Sequence, residues 1–237
     1  MFFLFIAAGL GLLSLAHVAP FPFLIDAVAP SRALWRMPTS PEAPTVYLTF
    51  DDGPNPTATP DLLDVLRREG AVATFFVIDR YVTQATAPIL RRIFDEGHAV
   101  GLHAHTRRLM VLAPNELARV LTANADRIEQ LAGQRPCRAF RPHAGWRSGH
   151  MYEGLARIDH ALVGWGWGLW DFNWYRRPDS TSLADRLARR VSDGGIIVIH
   201  DGHHAHPRAD RQYAVEATAR LVPALRARGF AFGKICA

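Results

Sequence analysis

A chain of 237 residues, 49% of them hydrophobic, is long enough for one full domain with its own core. Its formal charge of +5 rests almost entirely on arginine, Lys234 being the single lysine, and the arginines are scattered without interleaved aromatics. That pattern argues against a nucleic-acid partner, while an anionic lipid or an acidic glycan stays compatible with it.

Taken from the start, residues 1–25 contain no Asp, Glu, Lys or Arg, and Met1 to Ala19 is nearly all apolar before Pro20. A helix of that length covers about 28 Å, enough for a bilayer core, so the expectation is a single uncleaved N-terminal anchor. A cleaved signal peptide is the alternative, because Ser14-Leu15-Ala16 offers a small-x-small site, although no basic stretch precedes the apolar run. The proline-rich stretch Pro38 to Pro44 then marks a boundary, dividing residues 1–37 from a domain over 38–237.

Within that domain, Thr45 to Phe50 reads as a strand that ends in Asp51-Asp52 and opens into Gly53-Pro54-Asn55-Pro56. A helix over Asp61 to Glu69 follows Thr59-Pro60 and stops at Gly70, then a strand over Ala73 to Ile78. Next come a helix over Pro88 to Glu96 ended by Gly97, a strand over His98 to Leu102, a long helix over Glu116 to Leu131 and a short strand over Ala139 to Arg141. Ser182 to Val191 is helical, and Gly195 to Ile199 is a continuous aliphatic strand that delivers His200 and Asp201 where the apolar residues end. Ala214 to Arg228 is helical, and Phe230 to Ile235 closes the sheet. Repeated strand–helix units predict parallel strands. Cys137 and Cys236 are compatible with one bridge in an oxidising compartment, without requiring it.

Asp51 and Asp52 are the most informative pair. Adjacent carboxylates repel each other and are tolerated at a strand end when a cation or a shared proton separates their roles. A metal ligand beside a general base is one such arrangement. In parallel α/β folds the carboxyl ends of strands are where chemistry is placed.

Thr49-Phe50-Asp51-Asp52-Gly53-Pro54 and Ile196-Ile197-Val198-Ile199-His200-Asp201-Gly202 resemble the first and last motifs of the polysaccharide deacetylases, the NodB homology domain of carbohydrate esterase family 4. The resemblance runs over roughly residues 44–237 and implies a distorted (β/α) barrel with fewer than eight repeats, here preceded by an N-terminal hydrophobic helix. It implies a hydrolase that removes N-linked acyl groups from an amino sugar of a polysaccharide or glycolipid. Residues 38–237 would then be the catalytic domain.

By this match Asp51 is the general base, Asp52 and His103 hold a divalent, zinc-like metal, Arg141 orients Asp51, and His200 is the general acid, an imidazole's ordinary pKa of about 6.5 suiting the task. The second metal-binding histidine of the family falls on Arg107, which has no lone pair to give. Three readings stay open: His105 or another histidine supplies the ligand, two side chains and water hold the metal, or Arg107 pairs with the aspartates in place of metal. His203, His204 and His206 form a histidine-rich loop expected at the same mouth as His200.

The family's Arg-Pro-Pro-Tyr-Gly run corresponds to Arg141-Pro142-His143-Ala144-Gly145, where the tyrosine's backbone N–H, an oxyanion donor, survives as that of Ala144. Asn173-Trp174 stands where the family has Asp-Trp, with Asp171 as a stand-in for the carboxylate. Trp170 and Trp174 are candidates to stack on a sugar ring. Asp201 reads as a turn cap rather than a catalytic group.

The family's habit of acting on cell-envelope glycans places the domain outside the cytoplasm, anchored by its N-terminus or, alternatively, secreted. The competing functional reading is a glycan-binding or scaffold protein that keeps the barrel without turnover, suggested by Arg107, His143-Ala144 and Asn173.

Overall fold

The computed structural model describes residues 4–9, 11, 33–166 and 179–236. Its strands are β1 (Ala33–Leu34), β2 (Thr45–Gly53), β3 (Ala73–Ile78), β4 (Ala99–His103), β5 (Ala139–Arg141), β6 (Ala161–Val163), β7 (Ile196–His200) and β8 (Ala231–Phe232). They pair in the order β1-β6-β5-β4-β3-β2-β7, with β8 against the start of β2. The pairings of these strands are parallel, so the sheet curls into the expected distorted (β/α) barrel.

Helices α1 (Thr59–Arg68), α2 (Ala87–Asp95), α3 (Pro114–Ala132), α4 (Gly149–Arg157), α5 (Ser180–Arg190) and α6 (Gln212–Ala227) cover the outside. Local chemistry sets their ends. Proline stands in the first turn of α1, α2 and α3, where a missing N–H costs nothing. α3 stops at Gly133, whose φ of 78° is open to glycine at no steric cost. The Asp179 carboxylate accepts the Ser182 N–H at 2.8 Å and starts α5.

The sequence reading leaves Ser148 to Gly164 unassigned, and the structure forms α4 and β6 there. Two glycines in nine residues mask the helix signal. Gly154 is there for packing: a Cβ would come within 2.9 Å of the Leu117 side chain and the Pro114 carbonyl on α3.

Strand alternation divides the buried residues in two. Val46, Leu48 and Phe50 of β2, Phe75 and Val77 of β3 and Val100 and Leu102 of β4 face the helices, against Leu62, Leu63 and Leu66 of α1. The intervening residues enter the barrel, where Phe76, Ala139, Val163, Ile196 and Ile235 form a smaller apolar cluster. Space there is tight: a Cβ on Gly101 would sit 2.7 Å from the Phe76 ring.

Residues 33–37 join this barrel. β1 pairs with β6, Arg36 bridges Gly195 just before β7, and the Met37 N–H donates to the Gly194 carbonyl at 2.8 Å. The segment fills the seam between the two strands, helped by one bond from the Gly166 N–H to the Ile196 carbonyl at 3.0 Å. Trp35 is buried there, edge-on to Trp165 and under the Arg147 guanidinium. The proline stretch is therefore a linker inside the pairing rather than before it, because strand partners are chosen by space and not by sequence order.

Cys137 and Cys236 are bonded, with Cα atoms 6.0 Å apart. Cys137 donates its N–H to the Val100 carbonyl and Ile235 its N–H to Thr74, so the staple ties the carboxyl end of the chain to the end of the barrel where β3 and β5 begin. Residues 4–9 are helical and mostly exposed, and among the described residues no helix is long and apolar enough to cross a membrane.

Candidate active site

Two register relations assemble the site. Asp51 of β2 lies opposite His200 of β7, and His103 of β4 lies opposite Arg141 of β5. His103, Arg141 and His200 end their strands and Asp51 stands two residues before the end of β2; all four lie on the inward-facing side, so alternation aims them into the barrel mouth.

Asp52 is the exception, since the residue after Asp51 would point outward from a regular strand. Its φ of 70° and a register shift between Asp51 and Gly53 against β3 turn it inward instead. Aspartate tolerates this left-handed conformation better than most residues. As a result His103 Nε2 lies 3.3 Å from Asp52 Oδ1 and 4.0 Å from Asp51 Oδ2.

Arg141 is fully buried and fully occupied. Its Nη1 donates to Asp51 Oδ1 at 2.6 Å and to Thr49 Oγ1 at 2.7 Å, Nη2 donates to the Gly164 carbonyl at 2.8 Å, and Phe76 lies beneath the guanidinium at 4.1 Å. Arg141 therefore holds Asp51 through a single nitrogen, because the backbone of the segment after β6 claims the other end of the fork.

The His103 ring is fixed by the Arg141 carbonyl, 2.7 Å from Nδ1. A carbonyl only accepts, so Nδ1 carries the proton and Nε2 faces the carboxylates. Burial pulls the His103 pKa down, but Asp51 and Asp52 outweigh it and the net shift is upward. Burial pushes Asp52 up, and His103, then His200 and His204, hold it well below the carboxylate range. Asp52 Oδ1 is buried without a hydrogen-bond partner, the 3.3 Å approach of His103 lacking the alignment of a bond.

That orphaned oxygen and the free face of Nε2 suit two ligands of a divalent cation. The third place does not fit. The Arg107 guanidinium lies over the Trp146 ring at 5.2 Å instead of meeting the aspartates. His105 turns to Asp79, with Nδ1 2.9 Å from Oδ1. Among the described residues no group of three histidine, cysteine or acidic side chains converges as a metal site.

Histidines that sequence reasoning gave no definite role crowd the rim. The His204 ring meets His143 at 4.8 Å and stacks on His203 at 4.5 Å, and His206 lies 4.9 Å from His203. The loop is pinned by Tyr81, whose hydroxyl donates to the His203 carbonyl at 2.9 Å, and by Arg80 on the His204 carbonyl. Burial, with His103 and His204 nearby, pushes His143 down to about 4.

Asp201 is more than a turn cap. It is buried, accepts the Thr59 hydroxyl and leaves Oδ1 without a partner. Burial first, then Asp52 and Asp51, push its carboxyl up to about 7. A Cβ on Gly53 would fall 2.8 Å from this carboxylate, which explains a glycine after the aspartate pair. No local pattern in the sequence signals the contact, since Thr59 and Asp201 are distant along the chain. Trp170, Asp171, Asn173 and Trp174 lie outside the described residues.

A model of the polysaccharide deacetylase family matches residues 39–163. The chain is similar to the chitooligosaccharide deacetylase of Sinorhizobium fredii, at 36% identity over 79% of this chain and 88% of that one. The peptidoglycan-N-acetylglucosamine deacetylase of Bacillus cereus is 27% identical over 84% and 88% of the two chains. Among solved structures, a family 4 acetyl xylan esterase from Clostridium thermocellum in complex with a cobalt ion superposes with a TM-score of 0.70 at 29% identity, over 81% and 88%. The family match spans the strands that deliver Asp51, Asp52, His103 and Arg141, and the Sinorhizobium likeness covers most of both chains; this protein therefore belongs to the polysaccharide deacetylase family.

Proposed function

We propose that this protein removes acetyl groups from N-acetylated amino sugars of a polysaccharide or glycolipid. The observation that carries this is the register of Asp51 against His200, two side chains able to act as base and acid, at the mouth of one barrel with a buried guanidinium on Asp51. The chitooligosaccharide and peptidoglycan substrates named for its relatives support the substrate class.

In this reading Asp51 takes a proton from water as its oxygen bonds to the acetyl carbonyl carbon. Ala144, in a left-handed turn with φ of 50°, offers its backbone N–H to the resulting oxyanion, the N–H groups of Gly145 and Trp146 being taken by the Pro142 and His143 carbonyls. His200 then gives a proton to the nitrogen as the C–N bond breaks, leaving acetate and a free amine. Arg141 holds Asp51 in place, and Trp170 and Trp174 supply apolar faces for the sugar. Asp52 and His103 are two donors for a divalent ion, and no step above depends on one.

The disulfide fits an oxidising compartment, so we place the domain outside the cytoplasm, with the uncharged N-terminal run as anchor or signal segment. The test is acetate release, followed by mass spectrometry, from chitooligosaccharides and from peptidoglycan fragments. Loss of 42 mass units per event (about the mass of one acetyl replaced by hydrogen) supports the reading, and intact substrates that bind without turnover overturn it in favour of a glycan-binding protein.

A further inference from the structure

Four residues beyond His103, the place of a missing metal donor is taken by a cation with an arrangement of its own. The Arg107 side chain is exposed and stacks on Trp146, at 5.2 Å from the ring centroid. Trp146 follows the turn after β5, so its indole is anchored to the strand that carries Arg141. Among the described residues no carboxylate pairs with Arg107, although two carboxylates lie in the same mouth.

Its neighbours at the mouth are committed elsewhere. Arg141 is spent on Asp51 and backbone carbonyls, Arg80 on the His204 carbonyl, and Asp79 on His105. The rim is otherwise lined by His143, His203 and His204. Arg107 follows the end of β4 by four residues and lies over Trp146, which follows the end of β5, so it stands on the mouth side of the barrel.

A guanidinium held over an indole by a cation–π contact keeps its N–H groups for a further partner. Stacking also removes much of the rotamer entropy that an exposed arginine loses on gripping a ligand. The edge is a planar fork matched to an oxyanion, which accepts two charge-assisted bonds where the hydroxyls of a neutral glycan offer only weaker, uncharged acceptors.

We propose that Arg107 is a specificity residue that binds a carboxylate or phosphate carried by the glycan beside the acetamido group that is cleaved. The proposal rests on the deacetylase reading for its substrate, and its binding test does not require turnover.

The test uses three N-acetylated oligosaccharides of equal length: one neutral, one with a carboxylate-bearing ether beside the acetamido group, one with a phosphate ester there. Dissociation constants are measured by calorimetry on the full chain, and kcat and KM are measured in parallel. The wild type should bind at least one anionic sugar about tenfold or more tightly than the neutral one, a scale set by one charge-assisted fork. In Arg107→Gln the ratio should fall below about threefold, the change appearing in KM, and Arg107→Lys should recover part of it. Preference for only one anionic sugar identifies which oxyanion is read. Equal affinity for all three in the wild type, or an undiminished preference in Arg107→Gln, overturns the proposal. Anion preference without hydrolysis of any sugar would sink the deacetylase reading and leave the oxyanion site standing.

Discussion

Arg141 Nη1 lies 2.6 Å from Asp51 Oδ1 with the guanidinium wholly buried and the carboxylate nearly so. Such a pair is costly to assemble and more costly to break, because either partner alone is a charge without solvent. It makes the base position rigid, which is what proton abstraction from a poised water requires.

Asp51→Asn should abolish acetate release, since an amide accepts no proton from water. It should also lower stability by a few kcal/mol, on the scale of a buried pair that loses one charge while keeping its shape. Turnover assays and urea unfolding check the two effects separately. Retained deacetylation would remove Asp51 as base.

His200→Ala should lower kcat by about two to four orders of magnitude, the range of general acid catalysis. The limb of the pH–rate profile that reports the acid should vanish with it. An unchanged profile would assign proton delivery to another group, the rim histidines being the alternatives.

Arg107→His exchanges a fixed cation for a neutral donor four residues from His103, giving Asp52 and His103 a third partner of the kind that zinc sites use. Zn²⁺ affinity measured by calorimetry should rise by an order of magnitude or more (about 1.4 kcal/mol per decade). Equal tight binding in wild type and variant would show that a donor from elsewhere already completes the set.

Truncation separates linker from barrel. A chain starting at residue 33 keeps β1, Trp35 and the Arg36 contacts, while one starting at Pro38 loses them. Burial of a tryptophan implies a loss of about 3–5 kcal/mol for the shorter chain. Thermal unfolding of the two chains should therefore differ markedly, and matching melting temperatures would show that the seam closes without residues 33–37.

His98 makes a stability prediction with a defined pH window. It is buried, its Nδ1 accepts the Ala73 N–H at 3.2 Å, and burial above all holds its pKa down at about 4. Above pH 6.5 the ring is neutral in both states and contributes nothing to pH dependence. As the pH falls from 6.5 towards 4 the unfolded chain gains a proton that the folded chain refuses, so stability falls by on the order of 3 kcal/mol. Below about 4 both states are protonated and the slope ends. His98→Gln should flatten this part of the curve, and a superimposable pH profile for variant and wild type would place the acid sensitivity elsewhere.

The alternation of apolar residues, the proline and glycine stops and the two aspartates at a strand end are local properties, so the repeating strand–helix order and the candidate base and acid are legible from the amino-acid string. Spacing also exposes Arg107 as an odd residue in its place. Its destination, stacked on Trp146, depends on a loop that follows a different strand. The inward turn of Asp52 depends on a bulge defined only against β3, and the single-nitrogen hold of Arg141 on what the segment after β6 claims. Likewise β1 closes the seam because curvature brings β6 and β7 within reach of it. Contacts between residues distant in sequence are chosen by sheet curvature and side-chain volume, which a one-dimensional pattern does not contain.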